Sequence, residues 1–195
     1  YNEHGQVEEM TNAEGTIIRY EYDERGYLAK IINNYGLMVP TEEAINPPYA
    51  ETSFSYDEVG NIKTITDSRG NTTSFEYNAL NQIIKRISPS PFNYETRYSY
   101  DGNGNLERIE RQADAAKTKW QIIEYEYDNL DRLIKIKQYI DGQDYYTTTF
   151  TYDANDNRTM IIDANGNEIK YEYDDRNLIS RVIDAENNIL YAVTS

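Results

Sequence analysis

A tyrosine followed by Asp or Asn recurs eight times and divides the chain into similar units. The intervals between these repeat tyrosines run from 21 to 34 residues. The Asp or Asn after the tyrosine has a short side chain that accepts hydrogen bonds from nearby backbone N–H groups and begins a turn. Self-similarity at such a period is typical of repeat architectures, so residues 1–195 are predicted to form one array. The repeat tyrosines are Tyr1, Tyr22, Tyr56, Tyr77, Tyr100, Tyr127, Tyr152 and Tyr173.

The residues around each repeat tyrosine predict a strand that ends in a tight turn. The fourth residue after it is always Gly, Asn or Asp, the types that most readily adopt a positive φ. Two residues before it stands another aromatic residue in seven units, so both rings face one side of a strand. The rings expected to form the repeat core include Tyr20, Tyr22, Tyr98, Tyr100, Tyr125, Tyr127, Tyr171 and Tyr173.

Apolar residues follow each turn at the sixth and ninth positions after the repeat tyrosine, as in Leu28 and Ile31. Arg158 breaks the first series and Arg86 the second, although Ile87 follows Arg86. A spacing of three does not fit one face of a flat strand. The pattern therefore indicates a β-bulge, a strong twist or burial of both faces.

The units together predict an all-β fold of tandem antiparallel β-hairpins. Several units close with a second turn, such as 163–167, before the next strand begins. Alternation and β-branched content favour strands, and no amphipathic helical stripe appears. We expect a meander of roughly 14 to 16 short strands, interrupted by surface insertions near 33–53, 88–95 and 112–119, the first two of which contain Pro.

Composition excludes several classes of protein. The net charge of −15 argues against a nucleic-acid partner. The chain has no Cys, so it forms neither disulfides nor thiolate metal sites. No apolar run approaches the roughly 20 residues of a membrane helix. The 20 tyrosines supply apolar area that the aliphatic residues do not, provided that each hydroxyl reaches water or a partner.

The search for a chemical site in the sequence finds no catalytic, cofactor or metal residues. His4 is the single histidine and lies in the first unit, too little for a His-dependent triad. The segments 153–157 and 163–167 alternate Asp and Asn like calcium loops, but the first lacks the Gly and Glu of an EF-hand. Turn formation explains these residues without an ion.

Aromatic residues outside the repeat positions have two interpretations. They include the candidate contact residues Phe92, Tyr94, Trp120, Tyr145 and Tyr146, which lie in or near insertions. Such rings either pack against the sheet or present an amphipathic surface to a glycan or a protein partner. The sequence leaves both alternatives open.

The tandem pattern Phe/Tyr-x-Tyr-Asp-x-x-Gly-x-Leu-x-x-Ile resembles the YD repeat of Rhs proteins, teneurins, bacterial wall-associated proteins and the C component of Tc toxins. Residues 20–31 fit it almost completely. The resemblance implies a β-ribbon that spirals into a hollow shell, which in the toxins encloses a C-terminal effector released by self-cleavage. It also implies a bacterial source and a secreted or cell-surface location.

Two functions are compatible with this sequence. The leading hypothesis is a non-catalytic segment of a repeat shell, whose partners are the remainder of a longer repeat protein and its enclosed C-terminal domain. The alternative is an adhesion module that binds a glycan or a protein through the insertion aromatics. Because a piece of a ribbon has two open edges, we also expect self-association.

Overall fold

The computed structural model describes residues 1–13, 15–33, 50–114, 116–140 and 144–192. These residues form sixteen β-strands and no helix. Most of the predicted insertion at 33–53 lies outside them. The strands are β1 Glu9–Thr11, β2 Ile17–Tyr22, β3 Leu28–Asn33, β4 Ala50–Tyr56, β5 Ile62–Thr66, β6 Thr72–Tyr77, β7 Ile83–Ile87, β8 Glu95–Tyr100, β9 Leu106–Gln112, β10 Trp120–Tyr127, β11 Leu133–Tyr139, β12 Tyr145–Tyr152, β13 Arg158–Ile162, β14 Glu168–Tyr173, β15 Ile179–Ile183 and β16 Ile189–Ala192.

Strand order in the sheet follows the order of the strands in the chain. The chain divides into two compact units, Tyr1–Glu95 and Thr96–Ser195. Within the first, β1 to β7 pair with their sequence neighbours in antiparallel fashion. Within the second, the same holds from β8 to β16. The prediction of an all-β array of tandem antiparallel hairpins is confirmed.

A β-bulge follows the turn in each hairpin whose first strand ends at a repeat tyrosine. In the hairpin β10–β11, Glu126 pairs with Lys135 but Tyr127 pairs with Leu133, so Ile134 is the extra residue. The same shift occurs in the other six hairpins that follow a strand ending at a repeat tyrosine. Of the three explanations for the apolar spacing of three, the bulge is therefore correct.

The bulge aligns apolar side chains across the two strands of each hairpin. Leu133 lies opposite Tyr127, and Ile136, three residues later, lies opposite Tyr125. Cross-strand pairs of an aromatic and an aliphatic side chain contribute about 0.2–1 kcal/mol each. One face of each hairpin thus collects rings and aliphatic side chains, while the intervening residues point to the other face.

The packing is that of a single sheet layer. Among the described residues only the hydrophobic side chains of Ile32 and Ile109 are buried, at 6% and 7% exposure. The face opposite the rings carries ion pairs between neighbouring strands, such as Lys30 with Glu51 at 3.0 Å and Lys135 with Glu126 at 2.8 Å. Contacts between adjacent strands and turns, rather than a central core, therefore hold each unit together.

Candidate functional site

The five residues after each repeat tyrosine form a turn, here called a repeat turn, that is organised by its first side chain. At residues 153–157, Asp153 Oδ1 accepts hydrogen bonds from the N–H groups of Asn155 and Asn157, each at 2.9 Å. Asn157 Nδ2 donates to Asp153 Oδ2 at 3.0 Å, and Asp156 has a φ of 66°. All eight residues at the fourth position have a φ between 59° and 98°, as predicted.

The second turn of a unit, here called a return turn, uses the same arrangement. Asp163 Oδ1 accepts hydrogen bonds from the N–H groups of Asn165 and Asn167, and Asn167 Nδ2 donates to Asp163 Oδ2 at 2.8 Å. This side-chain bond and the backbone donors hold the pKa of Asp163 below its ordinary value. Asp carboxylates thus begin turns at both ends of a hairpin.

These turns account for the residues considered above as calcium ligands. The oxygens of Asp153 and Asp163 already accept backbone and Asn side-chain hydrogen bonds. Over the part of the chain that the structure describes, no group of three His, Cys, Asp or Glu side chains is placed to hold a metal ion. His4 lies exposed in the first repeat turn, where its N–H donates to Asn2 Oδ1 at 3.1 Å.

The repeat tyrosines connect successive units through their hydroxyl groups. Tyr127 Oη donates to the carbonyl oxygen of Leu106 at 2.9 Å, and Leu106 is the sixth residue after the preceding repeat tyrosine. Tyr22, Tyr56, Tyr77, Tyr152 and Tyr173 make the equivalent bond at 2.7–2.9 Å. Partial burial raises the pKa of Tyr127.

Sequence reasoning missed this acceptor. It required a partner for each buried hydroxyl but did not locate one, because the acceptor is a backbone carbonyl 15 to 28 residues earlier. The signal was the use of Tyr, never Phe, at all eight repeat positions, whereas both Tyr and Phe occur two residues before.

Within each compact unit, side chains also join neighbouring repeat turns, and we call this row of repeat turns the turn edge. The donor is the fifth residue after one repeat tyrosine, and the acceptor is the fourth residue after the following one. The pairs with a side-chain acceptor are Asn61 with Asn81 at 2.9 Å, Asn105 with Asp131 at 2.7 Å, Arg132 with Asp156 at 2.7 Å, and Asn157 with Asn177 at 2.9 Å.

Where the fourth residue is Gly, the contact changes in kind. Gln6 Nε2 donates to the carbonyl oxygen of Gly26 at 2.9 Å. The ring of Tyr27 lies over Gly60, where an added Cβ would stand 2.6 Å from Tyr27 Oη. The predicted turn glycine thus has a second role at residue 60, since it makes room for the neighbouring unit.

The insertion aromatics differ in their local environments. In the compact unit Tyr1–Glu95, Phe92 is 59% exposed and stacks on Tyr94 with ring centroids 5.6 Å apart. In the other compact unit, the half-buried Trp120 is covered by the Arg97 guanidinium, which lies 4.5 Å from the ring centroid. Tyr145 and Tyr146 are 49% and 55% exposed. Because they are consecutive residues of a strand, they face opposite sides of the sheet.

A search for a membrane-spanning element gives a negative result for the described part of the chain. None of its residues belongs to a helix with the length and apolar character needed to cross a membrane.

A family model matches two segments of the chain. Residues 1–37 and 56–91 match the family model described as RHS Repeat. These two segments are RHS repeats. The RHS-repeat chain is 31% identical over 145 residues to the tRNA nuclease WapA of Bacillus subtilis and to the tRNA3(Ser)-specific nuclease WapA of Bacillus spizizenii. The alignment covers 72% of this chain and only 5% of each relative.

Solved structures of Tc toxin complexes share the fold. The chain superposes on the crystal structure of TcdB2-TccC3-TEV with a TM-score of 0.67 at 19% identity, covering 85% of this chain and 9% of that one. It superposes on the Photorhabdus luminescens Tc holotoxin pore with a TM-score of 0.64 at 19% identity, covering 94% and 12%. The RHS-repeat array therefore has the fold of a short stretch of these much longer chains.

Proposed function

We propose that this RHS-repeat chain is a non-catalytic wall segment of a β-shell that encloses or presents an effector or surface domain. The observation that carries the proposal is the chain of tyrosine bonds. Six repeat tyrosines, among them Tyr22 and Tyr127, each fix one unit to the preceding unit through its backbone. Such bonds extend a wall by repetition and require no chemistry at any single position.

The fold and the relatives support the same role. The Tc toxin complexes contain long chains whose repeat region this chain resembles in fold. The WapA relatives are named as nucleases, and this chain aligns with 5% of their length. We assign the nuclease activity in those names to another region of those proteins.

The partners of a wall segment follow from this role. They are the remainder of a longer repeat protein and its enclosed C-terminal domain, in a secreted or cell-surface setting. The net charge of −15 keeps an exposed wall soluble.

Protection of the C-terminal region tests the proposal. The native polypeptide that carries these repeats is purified and weighed, and a site-specific protease sequence is placed in its non-repetitive C-terminal region. The same sequence in an N-terminal affinity-tag linker serves as the control. A wall predicts a mass far above 22.8 kDa and cleavage that is at least about tenfold slower than in the control. A native product near 22.8 kDa, or equal cleavage rates, overturns it.

A second candidate function is glycan or protein binding through the exposed rings of Phe92, Tyr145 and Tyr146. Their exposure favours this function, although the cover of Arg97 over Trp120 weakens it for that residue. Titration with a glycan panel, followed by Trp120 fluorescence and by calorimetry, separates the two candidates. Saturable binding that Tyr145→Ala or Phe92→Ala abolishes supports the adhesion module, whereas a wall segment shows none.

A further inference from the structure

We infer that the turn edge carries a pairing code between successive units. We call the fifth residue after a repeat tyrosine the selecting position and the fourth residue after the next repeat tyrosine the accepting position. The residue at the selecting position determines which residue fits at the accepting position. Units that match are good neighbours, and units that do not match are disfavoured. The inference concerns how repeats recognise each other, and it stands whether or not the array encloses a cargo.

An Asn at the selecting position requires a side-chain acceptor in the next unit. Asn61 Nδ2 donates to Asp57 Oδ2 of its own turn at 3.0 Å and to Asn81 Oδ1 of the next turn at 2.9 Å. Asn157 Nδ2 likewise donates to Asp153 Oδ2 at 3.0 Å and to Asn177 Oδ1 at 2.9 Å. The amide has two hydrogens, so one serves each turn. A Gly at the accepting position would leave the second hydrogen without this acceptor.

An Arg at the selecting position requires an acid. Arg132 Nε donates to Asp128 Oδ2 of its own turn at 2.7 Å, and its Nη1 donates to Asp156 Oδ1 of the next turn at 2.7 Å. The guanidinium is a fork of five donors with no acceptor. A Lys or Arg at residue 156 would place two cations in contact.

A Tyr at the selecting position favours Gly in the next unit. The Tyr27 ring packs on Tyr56 with centroids 5.0 Å apart, and its Oη and Cζ lie 2.6 Å and 3.0 Å from where a Cβ on Gly60 would be. Both distances are shorter than ordinary van der Waals contact. Any side chain at residue 60 would displace the ring. At the return turn, Gly70 has a similar φ but open space around its Cβ position.

A repeat array needs such a code because its strands alone do not distinguish one unit from another. Most units present the same pattern of aromatic, x, Tyr and Asp on a single sheet layer with only two buried hydrophobic side chains in the described residues. A slip by one residue would exchange the faces, but a slip by a whole unit would keep every ring on its own face. Specificity against that error must come from a mismatch elsewhere, and the turn edge supplies it.

Thermal unfolding of single and double variants tests the code. Gly60→Asn is expected to lower Tm by roughly 5 °C or more, because its side chain overlaps Tyr27. Gly70→Asn, which carries the positive-φ cost without the overlap, is expected to lower Tm by no more than about 2 °C. In the Tyr27→Asn background, Gly60→Asn should create a pair between residues 27 and 60 that is equivalent to the pair of Asn61 with Asn81. It should therefore lower Tm by at most half as much as it does in the wild type.

The reverse exchange at the next junction gives a second, independent measurement, which also serves if Gly60→Asn does not fold. Asn61→Tyr alone should lower Tm because the ring meets Asn81, and adding Asn81→Gly should recover at least half of the loss. At residue 60 the backbone cost cancels because Gly60→Asn is measured in both backgrounds. At residue 81 it cancels when Asn81→Gly is also measured in the wild type, where it should lower Tm rather than raise it. Equal losses in both backgrounds at either junction would show that the positions are independent and would overturn the code.

Discussion

At the scale of the residue, two polar groups carry the repeat, namely the tyrosine hydroxyl and the Asp carboxylate. Both groups form hydrogen bonds with the backbone. Tyr127 Oη reaches a carbonyl of the preceding unit, and Asp153 Oδ1 reaches two N–H groups of its own turn. Backbone partners do not depend on residue identity, so the same two residue types serve in units of very different sequence.

The tyrosine bond predicts a specific loss for Tyr127→Phe. The substitution keeps the ring opposite Leu133 and removes only the hydroxyl, which donates a hydrogen bond to the carbonyl oxygen of Leu106. The free energy of unfolding should therefore fall by about 1 kcal/mol. Urea denaturation measures this loss. Tyr146→Phe, at a ring that is more than half exposed, is the control and should change stability by less than about 0.5 kcal/mol. Equal effects of the two variants would contradict the role of the bond.

The turn carboxylates predict how stability depends on acid. The Asn157 side chain and the backbone donors lower the pKa of Asp153, and Asn167 does the same for the pKa of Asp163. A lowered folded-state pKa contributes stability that is present above the ordinary value of 3.8 and is lost as pH falls through the lowered pKa. We therefore expect stability to be constant from neutral pH down to about pH 4 and to fall below it.

Asp153→Asn checks the origin of this acid limit. The variant cannot ionise, so it should be less stable than the wild type at pH 7, and the difference should shrink as pH falls below 3.8. Unfolding curves measured between pH 2.5 and pH 7 give both quantities. A difference that stays constant over this range would mean that the carboxylate charge contributes nothing.

At the scale of the element, the sequence predicts what depends on local spacing. Turn positions, strand direction and the shared face of Tyr125 and Tyr127 follow from positions within one unit. The apolar spacing of three showed that the second strand is irregular, and the register identifies Ile134 as the bulge residue in β11. The turn-edge contacts could not be predicted, because they depend on which turn lies beside which, a property of neighbouring units.

The register also decides between two residues for one repeat position and gives a prediction. Arg86, not Ile87, lies opposite Phe75, so the Phe75 ring lacks the aliphatic residue that usually lies opposite the first aromatic residue of a unit. Arg86→Ile should restore an aromatic–aliphatic pair and raise the free energy of unfolding by about 0.5 kcal/mol. Arg158→Ile is the matched comparison and should not stabilise, because the Arg158 guanidinium already lies 5.7 Å from the Phe150 ring and 5.5 Å from the Tyr171 ring.

Chemical denaturation of both variants under the same conditions gives the comparison. The expected order of stability is Arg86→Ile above wild type, with Arg158→Ile at or below it. If Arg158→Ile stabilises as much as Arg86→Ile, then aliphatic content alone matters and the cation–π contacts contribute nothing measurable.

At the scale of the whole molecule, apolar attraction and charge repulsion act in opposite directions at the two terminal strands of the sheet. β1 and β16 are the terminal strands, and each pairs with one neighbour in the described structure. In β16, Ile189, Leu190 and Tyr191 are each more than half exposed. An apolar strand with an unpaired edge promotes association. The net charge of −15 repels a second copy, but salt screens this repulsion while leaving the apolar contact in place.

Self-association of residues 1–195 produced alone should therefore increase with ionic strength, opposite to the behaviour of association driven by charge. Sedimentation velocity at rising protein concentration, in about 0.05 M and 0.5 M salt, measures it. Leu190→Lys should reduce the associated fraction at high salt, because it places a charge on the terminal strand. Val59→Lys adds the same charge at an exposed turn and is the matched control. If both variants act equally, net charge governs association; if the wild type stays monomeric in high salt, the terminal strands are not adhesive.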